Sequence, residues 1–522
     1  MKQSINYLIP ALVLGATQVM AKEQPNVIYI LSDDLGYGDL QCYNSEGKIL
    51  TPNIDNMAEC GVMFTDAHTS SAVSTPTRYG VLTGRYNWRS TLKSGVLSGY
   101  SDALIDGDRT TVADVFKSSG YTTAYIGKWH LGWGWTITEA DPKGKHIDNL
   151  DSRPVVDFTQ KVTNSPSGLG FDYYYGFCGS LDMAPYVWVE SDKVVTQPTK
   201  TTTNKGMGFW RNGLTAEDFV HEDILQDVTD KTIDYIKERT ATKRSRKEPF
   251  FVYLPLPAPH TPILPSEKFK GKSNVNLYGD YVMQVDDVVG QLRAALKEQG
   301  ISDNTILVFT SDNGCSKAAN YPQMEAAGHF ANGILRGGKA DLYDGGHRVP
   351  FIVEWGDGAD ENTKVDNTIC LTDMFATAAE LTSYKSGDSE GEDSFSFLSY
   401  LTGENPSTPR DYTVHHSING DFAIRQGEWK LLFSKGSSGW SYPTPAQIKK
   451  ENLDLPDVQL YNLADDISES TNLESKYPEK VAELRAAMQK IITDGRSTPG
   501  APQKNEESSN GKWDQIEAVF AK

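Results

Sequence analysis

Basic residues are scarce in this chain. Fifty Lys and Arg stand against 69 Asp and Glu in 522 residues, a formal charge of −19. Such a deficit leaves no broad cationic surface for a phosphate backbone, so the composition argues against a general nucleic-acid binder. Long apolar runs are missing too. Downstream of the N-terminus none approaches the ~20 residues that a membrane-crossing helix needs, so no helical span is expected. Cysteine is sparse: Cys42, Cys60, Cys178, Cys315 and Cys370 are odd in number, scattered, and without paired C-x-x-C spacing. That excludes a disulfide framework and a zinc ribbon, and leaves room for at most one or two bridges.

What is present begins with an export signal. Lys2 supplies a positive start, Tyr7–Ala16 a short apolar stretch, and Val19-Met20-Ala21 a small-residue cleavage site. Residues 1–21 are therefore expected to be removed and the protein exported, to the periplasm or beyond, in a bacterium. Removal takes one lysine and no acid, so the mature charge becomes −20.

Four apolar, β-branched and aromatic runs then end in polar clusters. Asn26–Leu31 leads to Asp33-Asp34, Tyr121–Ile126 to Lys128 and His130, Phe250–Leu254 to His260, and Thr305–Thr310 to Asp312-Asn313. Runs apolar on both faces suit central strands of a covered parallel sheet. Helical patterns alternate with them: Thr111–Lys117 opens with a capping Thr, and Asp280–Gln299 spaces its apolar residues at helical intervals up to Gly300. The fold class that follows is α/β, with a mainly parallel central sheet flanked by helices over 22–408. After an acidic loop at Ser386–Asp393, strand-like Tyr412–Ile418 and Phe422–Phe433 and a helical Pro478–Thr493 predict a smaller α+β domain with an antiparallel sheet over 409–522. Polar segments 158–210 and 434–447 read as long loops. Ligands of open α/β sheets bind past the carboxyl ends of the strands, where the acids, the lysine and the histidines gather.

The most informative stretch is Ser74-Thr-Pro-Thr-Arg78, followed by Thr83-Gly84-Arg85. With its context it resembles the signature of the type I, formylglycine-dependent sulfatases of the alkaline phosphatase superfamily. The resemblance extends through Thr51-Pro-Asn-Ile-Asp55, Gly127-Lys128-Trp-His130-Leu-Gly132, His260-Thr-Pro262, Ser311-Asp-Asn-Gly314, Leu335-Arg-Gly-Gly-Lys339 and Gly345-Gly-His-Arg-Val-Pro350. It continues in the C-terminal Ala423-Ile-Arg-Gln-Gly-Glu-Trp-Lys430 and Leu460-Tyr-Asn-Leu463. The family implies an alkaline-phosphatase-like fold and hydrolysis of sulfate esters. It also implies oxidation of Ser74 to formylglycine, here by a radical-SAM maturase because the residue is Ser rather than Cys. A hydrated aldehyde has a second hydroxyl, so the sulfo group that one hydroxyl takes up can be expelled by deprotonating the other.

By the same resemblance Asp33, Asp34, Asp312 and Asn313 would hold a hard cation, Ca²⁺ or Mg²⁺, as an all-oxygen set should. Arg78, Lys128 and Lys339 would surround the sulfate with positive charge. His130 would deprotonate the second hydroxyl, and His260 with Lys339 would assist the leaving alcohol. Asp344 stands where relatives often carry Glu. The pocket rim is expected from Asp172, Asp182, Tyr186, His347 and His416, since carboxylates and aromatic rings suit sugar hydroxyls and faces. A sulfated carbohydrate, as a terminal galactose or N-acetylgalactosamine of a glycosaminoglycan or mucin, is the substrate the resemblance favours. Two alternatives compete. One is a two-zinc phosphatase or phosphodiesterase, for which Asn313 is a poor ligand; the other is a non-catalytic glycan-binding homologue.

Overall fold

The structure is a computed structural model that describes residues 24–141, 150–508 and 511–521; the expected export signal lies outside them. A central sheet of eleven strands organises the larger part of the chain. Its middle is the four runs read from the sequence, now Thr305–Ser311, Asn26–Asp33, Phe250–Pro259 and Thr122–Lys128, side by side and all parallel. Every residue of Asn26–Asp33 is buried, as covering on both faces requires. The helices Leu277–Glu298 and Ile224–Thr240 pack against Phe250–Pro259, and the capping box of Thr111 and Asp114 opens helix Val112–Ser118.

On one side Arg348–Glu354 runs antiparallel to Thr305–Ser311, and Val62–His68, antiparallel to it in turn, resumes the central direction, so the sheet is mainly parallel as expected. On the other side the polar 158–210 segment, expected as loop, contributes Tyr173–Phe177 parallel to Thr122–Lys128. It also contributes Pro198–Asn204, which pairs with Trp210–Ala216 in a two-stranded ribbon. Threonines dominate that ribbon strand, so it has strand propensity but no apolar alternation to betray it.

The C-terminal part is an antiparallel meander of Thr413–His416, Phe422–Gln426, Trp429–Leu432 and Gln459–Asn462. The stretch Phe422–Phe433 thus folds as a hairpin, turning at Gly427 with φ 54°. Helix Pro478–Asp494 lays Leu484, Met488, Ile491 and Ile492 on this sheet, in one cluster with Tyr86 and Trp88 of the larger part. All five cysteines are unpaired. Among the described residues no helix is long and apolar enough to cross a membrane.

Candidate active site

Register places the site. Ser32 lies opposite Ser311 and Asp33 opposite Pro259, while Lys128 ends its strand beside them. The carboxyl ends of four adjacent parallel strands therefore deliver Asp33-Asp34, His260, Lys128 with His130, and Asp312-Asn313 to one spot. Helix Ser74–Thr83, buried along its whole length, points its first residue at the same spot. One turn on, Arg78 shares that face, and its Nε donates to Ser74 Oγ at 2.7 Å.

His130 approaches Ser74 from the other side, with Nδ1 3.2 Å from Oγ. Its Nε2–H donates to the Leu97 carbonyl at 2.9 Å, which leaves Nδ1 as the acceptor towards Ser74. Burial and the neighbouring Lys128 and Arg78 charges push the His130 pKa well below the ordinary histidine value, so the ring is neutral.

Three acids and three bases interlock around the serine. Arg78 Nη2 donates to Asp312 at 2.8 Å, Lys128 Nζ to Asp33 at 2.6 Å, and Lys339 Nζ bonds Asp34 at 2.7 Å. Burial lowers the Lys128 pKa, whereas at Lys339 Asp34 and Asp33 outweigh burial and raise it. Asn313 Nδ2 donates to Asp34 Oδ1 at 2.7 Å, turning its own Oδ1 the other way. That oxygen and Asp33 Oδ1 are buried without a hydrogen-bond partner. Orphaned buried acceptors are costly unless something else satisfies them, and oxygen lone pairs are what a hard cation needs. His260 sits across from Asp34, Nε2 3.7 Å from its Oδ2, with Nδ1–H donating to the Thr261 carbonyl. Asp34, His130 and Ala340 all have φ above +50°, backbone conformations that cost non-glycine residues energy and tend to persist at functional sites.

The residues expected at the rim divide. Asp182 lies by the centre, its carboxylate in the field of His260 and Lys128, and Tyr186 supports the same wall by donating to the Arg211 carbonyl. Asp172 is instead at the far end of its strand, where it accepts from Thr123 and pairs with Lys117. The cause is register, because residue 172 precedes the strand whose other end faces the serine. His347 is fully buried under the C-terminal sheet, stacked on His415 at 3.8 Å. His416 is buried against the Ser70–Ala72 backbone. Sequence reasoning missed Arg211, which pairs with Asp182; it enters on Trp210–Ala216, a strand broken by Asn212-Gly213 and paired with the threonine-rich Pro198–Asn204.

An α/β sheet whose strand ends gather a carboxylate set, lysines and a neutral histidine around the serine and arginine of a buried helix suits an enzyme for esters of a tetrahedral oxyanion. Residues 25–384 match the sulfatase family model, and the chain belongs to the sulfatase family. It is thus a sulfuric ester hydrolase. It is 33% identical to an N-acetylgalactosamine-6-O-sulfatase of Bacteroides thetaiotaomicron, an alignment that covers 94% of this chain and all of that protein. Human arylsulfatase A is 29% identical over 88% of this chain and 85% of its own length. A solved Bacteroides thetaiotaomicron structure from work on the metabolism of multiple glycosaminoglycans superposes with a TM-score of 0.75. It is 33% identical and covers 90% of this chain and 99% of that one.

Proposed function

We propose that this protein is an exported bacterial sulfatase that removes the 6-sulfate of a terminal, galacto-configured sugar, N-acetylgalactosamine first. The full-length likeness to a protein of that activity supports the substrate. The arrangement at Ser74, hydrogen-bonded between Arg78 and a neutral His130, supports the chemistry.

Ser74 is the attacking position. Oxidation to formylglycine, by a radical-SAM maturase in the native host, would supply a hydrated aldehyde whose second hydroxyl gives the transferred sulfo group a route off the enzyme. His130 Nδ1 is the base for that hydroxyl, because Nε2 is committed to Leu97. Arg78 fixes the oxygen at position 74, and Lys128 and Lys339 stabilise charge on the sulfate. His260 and Lys339 face the departing sugar oxygen, with His260 Nε2 as the proton donor. Asp33, Asp34, Asp312 and Asn313 fit a divalent cation, since two of their oxygens are buried and accept no hydrogen bond; Ca²⁺ suits the set, with Mg²⁺ as the alternative. Bound there, the cation would polarise the sulfate oxygens. Three acids and three bases cancel, the cation would offset one sulfate ester and one ionised hydroxyl, and the extra proton of a protonated His260 neutralises the departing sugar oxygen.

A panel of 2-, 3-, 4- and 6-sulfated monosaccharides tests the reading on protein matured in a host with the maturase. Sulfate release from 6-sulfated N-acetylgalactosamine, with the mass change of oxidation on the Ser74 peptide, is expected. Activity confined to sulfated glucosamine or uronic acid would overturn the substrate, and two zinc ions per chain would overturn the metal.

A further inference from the structure

The imidazole at Ser74 is aimed by a loop. His130 Nε2–H donates to the Leu97 carbonyl at 2.9 Å, and Leu97 lies in a stretch, residues 90–100, with neither helix nor strand to fix its peptides. A loop carbonyl keeps one direction only where neighbouring bonds pin it. The pin here is Thr75. Leu97 N donates to Thr75 Oγ1 at 3.2 Å, and the same hydroxyl donates to the His130 carbonyl at 2.9 Å. Thr75 follows Ser74 in the buried helix and is itself fully buried.

These bonds close a circuit in which every proton has one place to go. A threonine hydroxyl carries one hydrogen and also accepts. Its hydrogen goes to the His130 carbonyl, and a lone pair is left for the Leu97 amide. With that amide turned to Thr75, the Leu97 carbonyl meets the ring, so Nε2 carries the ring proton. Nδ1, 3.2 Å from Ser74 Oγ, therefore keeps its lone pair. The backbone of His130 needs the hold as well. Its φ is 57°, a conformation that costs a non-glycine residue energy and persists only where the surroundings over-determine it. Its amide donates to the Cys178 carbonyl at 2.7 Å, and Thr75 secures the other end of the residue.

We propose that Thr75 is a positioning residue for sulfate release: its hydroxyl sets the Leu97 carbonyl and the His130 backbone, and so keeps Nδ1 the proton acceptor at position 74. The inference rests on the role of His130 given above. In that step Nδ1 takes the proton of the second hydroxyl, and the electron pair left on that oxygen forms the carbonyl. The carbon–oxygen bond to sulfate breaks, and its electrons leave with the sulfate. A ring that carries its proton on Nδ1 cannot do this. The earlier transfer of the sulfo group draws on the cations and on His260, so the dependence on Thr75 falls on the second half of the reaction. Valine has threonine's shape and makes neither bond; serine makes both.

Two readouts test this. On protein with Ser74 unmodified, nitrogen NMR of labelled histidines, with His130→Ala to identify the signal, should show Nε2–H alone in the parent and in Thr75→Ser. Thr75→Val should add a population with Nδ1–H. On matured enzyme, rapid quenching with the sulfate ester that the parent turns over fastest counts the alcohol set free. The first equivalent per active site reports sulfo transfer, and later ones wait for sulfate release. Thr75→Val should hold the first phase within about threefold and slow the later one about 30-fold, the combined scale of two buried hydrogen bonds. His130→Ala should slow the later phase about 100-fold or more, the scale of a general base. Thr75→Ser should stay within about threefold of the parent in both phases. Counting per active site keeps a loss of folded protein from mimicking the effect, and Thr75→Ala removes the same hydroxyl should Thr75→Val fail to fold. Parental tautomer and release in Thr75→Val, or Thr75→Ser as slow as Thr75→Val, would overturn the positioning role alone. Parental release in His130→Ala would overturn the base, and the role of Thr75 with it.

Discussion

Two buried sites in this protein are built from the same parts and do opposite things. The catalytic centre interlocks Asp33, Asp34 and Asp312 with Arg78, Lys128 and Lys339. Between the central sheet and the C-terminal meander, Asp66, Asp344 and Glu469 interlock with Arg348, Arg425 and Lys430. Histidines lie in both: His130 and His260 in the first, His68, His347 and His415 in the second. In the second site every histidine nitrogen has a partner. His68 meets His347, Asp66 and Arg425; His347 also meets the Leu342 carbonyl and Lys430; His415 meets Thr69 and Thr413. Those three rings place nitrogens within 4.8 Å of one another, yet His347 and His415 are stacked at 7° rather than splayed around a point, and three cations crowd them. Each site leaves a carboxylate oxygen without a hydrogen bond beside an arginine: Asp344 Oδ2 is 3.7 Å from Arg348 Nη1, and Asp33 Oδ1 is 3.6 Å from Arg78 Nη2. The centre adds a second such acceptor, the amide oxygen Asn313 Oδ1. Charge balance is common to both; the extra neutral oxygen among the acids at the strand ends distinguishes the centre.

The sharpest way to break this comparison is at the serine. Ser74→Ala should abolish sulfate-ester turnover, a loss of about 10⁴-fold or more as nucleophile removal gives elsewhere, while the melting temperature stays near that of the parent. Sulfate release and a thermal melt on one sample decide it, and residual turnover above a few per cent would remove Ser74 from the attacking role. Lys430→Met should do the reverse. It strands Asp344 and Glu469, both fully buried beside Nζ at 2.7 Å, and breaking a buried pair costs about 3–5 kcal/mol. Urea unfolding should show that loss, with kcat per folded molecule little changed; an unaltered midpoint would mean the network does not weld the two sheets.

Metal removal falls between these. Chelation should abolish activity and be reversed by Ca²⁺, and saturation at a hundredfold above the dissociation constant should stabilise the fold by about 2.7 kcal/mol. Protein carrying Asp312→Asn should lose most of that increment, whereas Lys430→Met should retain it. A melting point indifferent to Ca²⁺ in the parent would argue against a cation at the bare oxygens.

How far the sequence carried these two sites differs for a physical reason. The centre was legible because strand runs end in polar clusters and parallel neighbours must align their carboxyl ends, so Asp33, Lys128, His260 and Asp312 could be gathered without coordinates. The meander motif Ala423–Lys430 was legible as a block but not as a function. Arg425 and Lys430 alternate onto one face of a hairpin, and nothing local says which distant carboxylates that face meets. His347 was misplaced at the rim for the same reason: its partner His415 is 68 positions away on a different sheet. The ribbon that carries Arg211 was invisible because Asn212-Gly213 interrupts its own strand and the partner strand is rich in threonine, so neither alternates an apolar face.

The smallest effect is the acid limb of stability, and within the second site its two kinds of group carry opposite signs. Burial lowers the pKa of His68, His347 and His415, so all three are neutral in the folded protein. Unfolded, each takes up a proton as pH falls through about 6.5. Their contribution is therefore complete above that value and is lost below it, by about 1.4 kcal/mol per pH unit for each histidine. Glu469 opposes them. Burial, with Asp344 competing for the same lysine, raises it to about 7, so it favours the folded state increasingly as pH falls from 7 towards its unfolded value near 4.5. Three histidines outweigh one glutamate, and unfolding free energy measured in urea should fall from pH 6.5 to pH 5.5. Replacing Glu469 by Gln removes the opposing group and should steepen that fall by up to about 1.4 kcal/mol per pH unit. A flat profile in the parent, or an unchanged slope in the variant, would mean that these groups do not titrate against burial as their surroundings require.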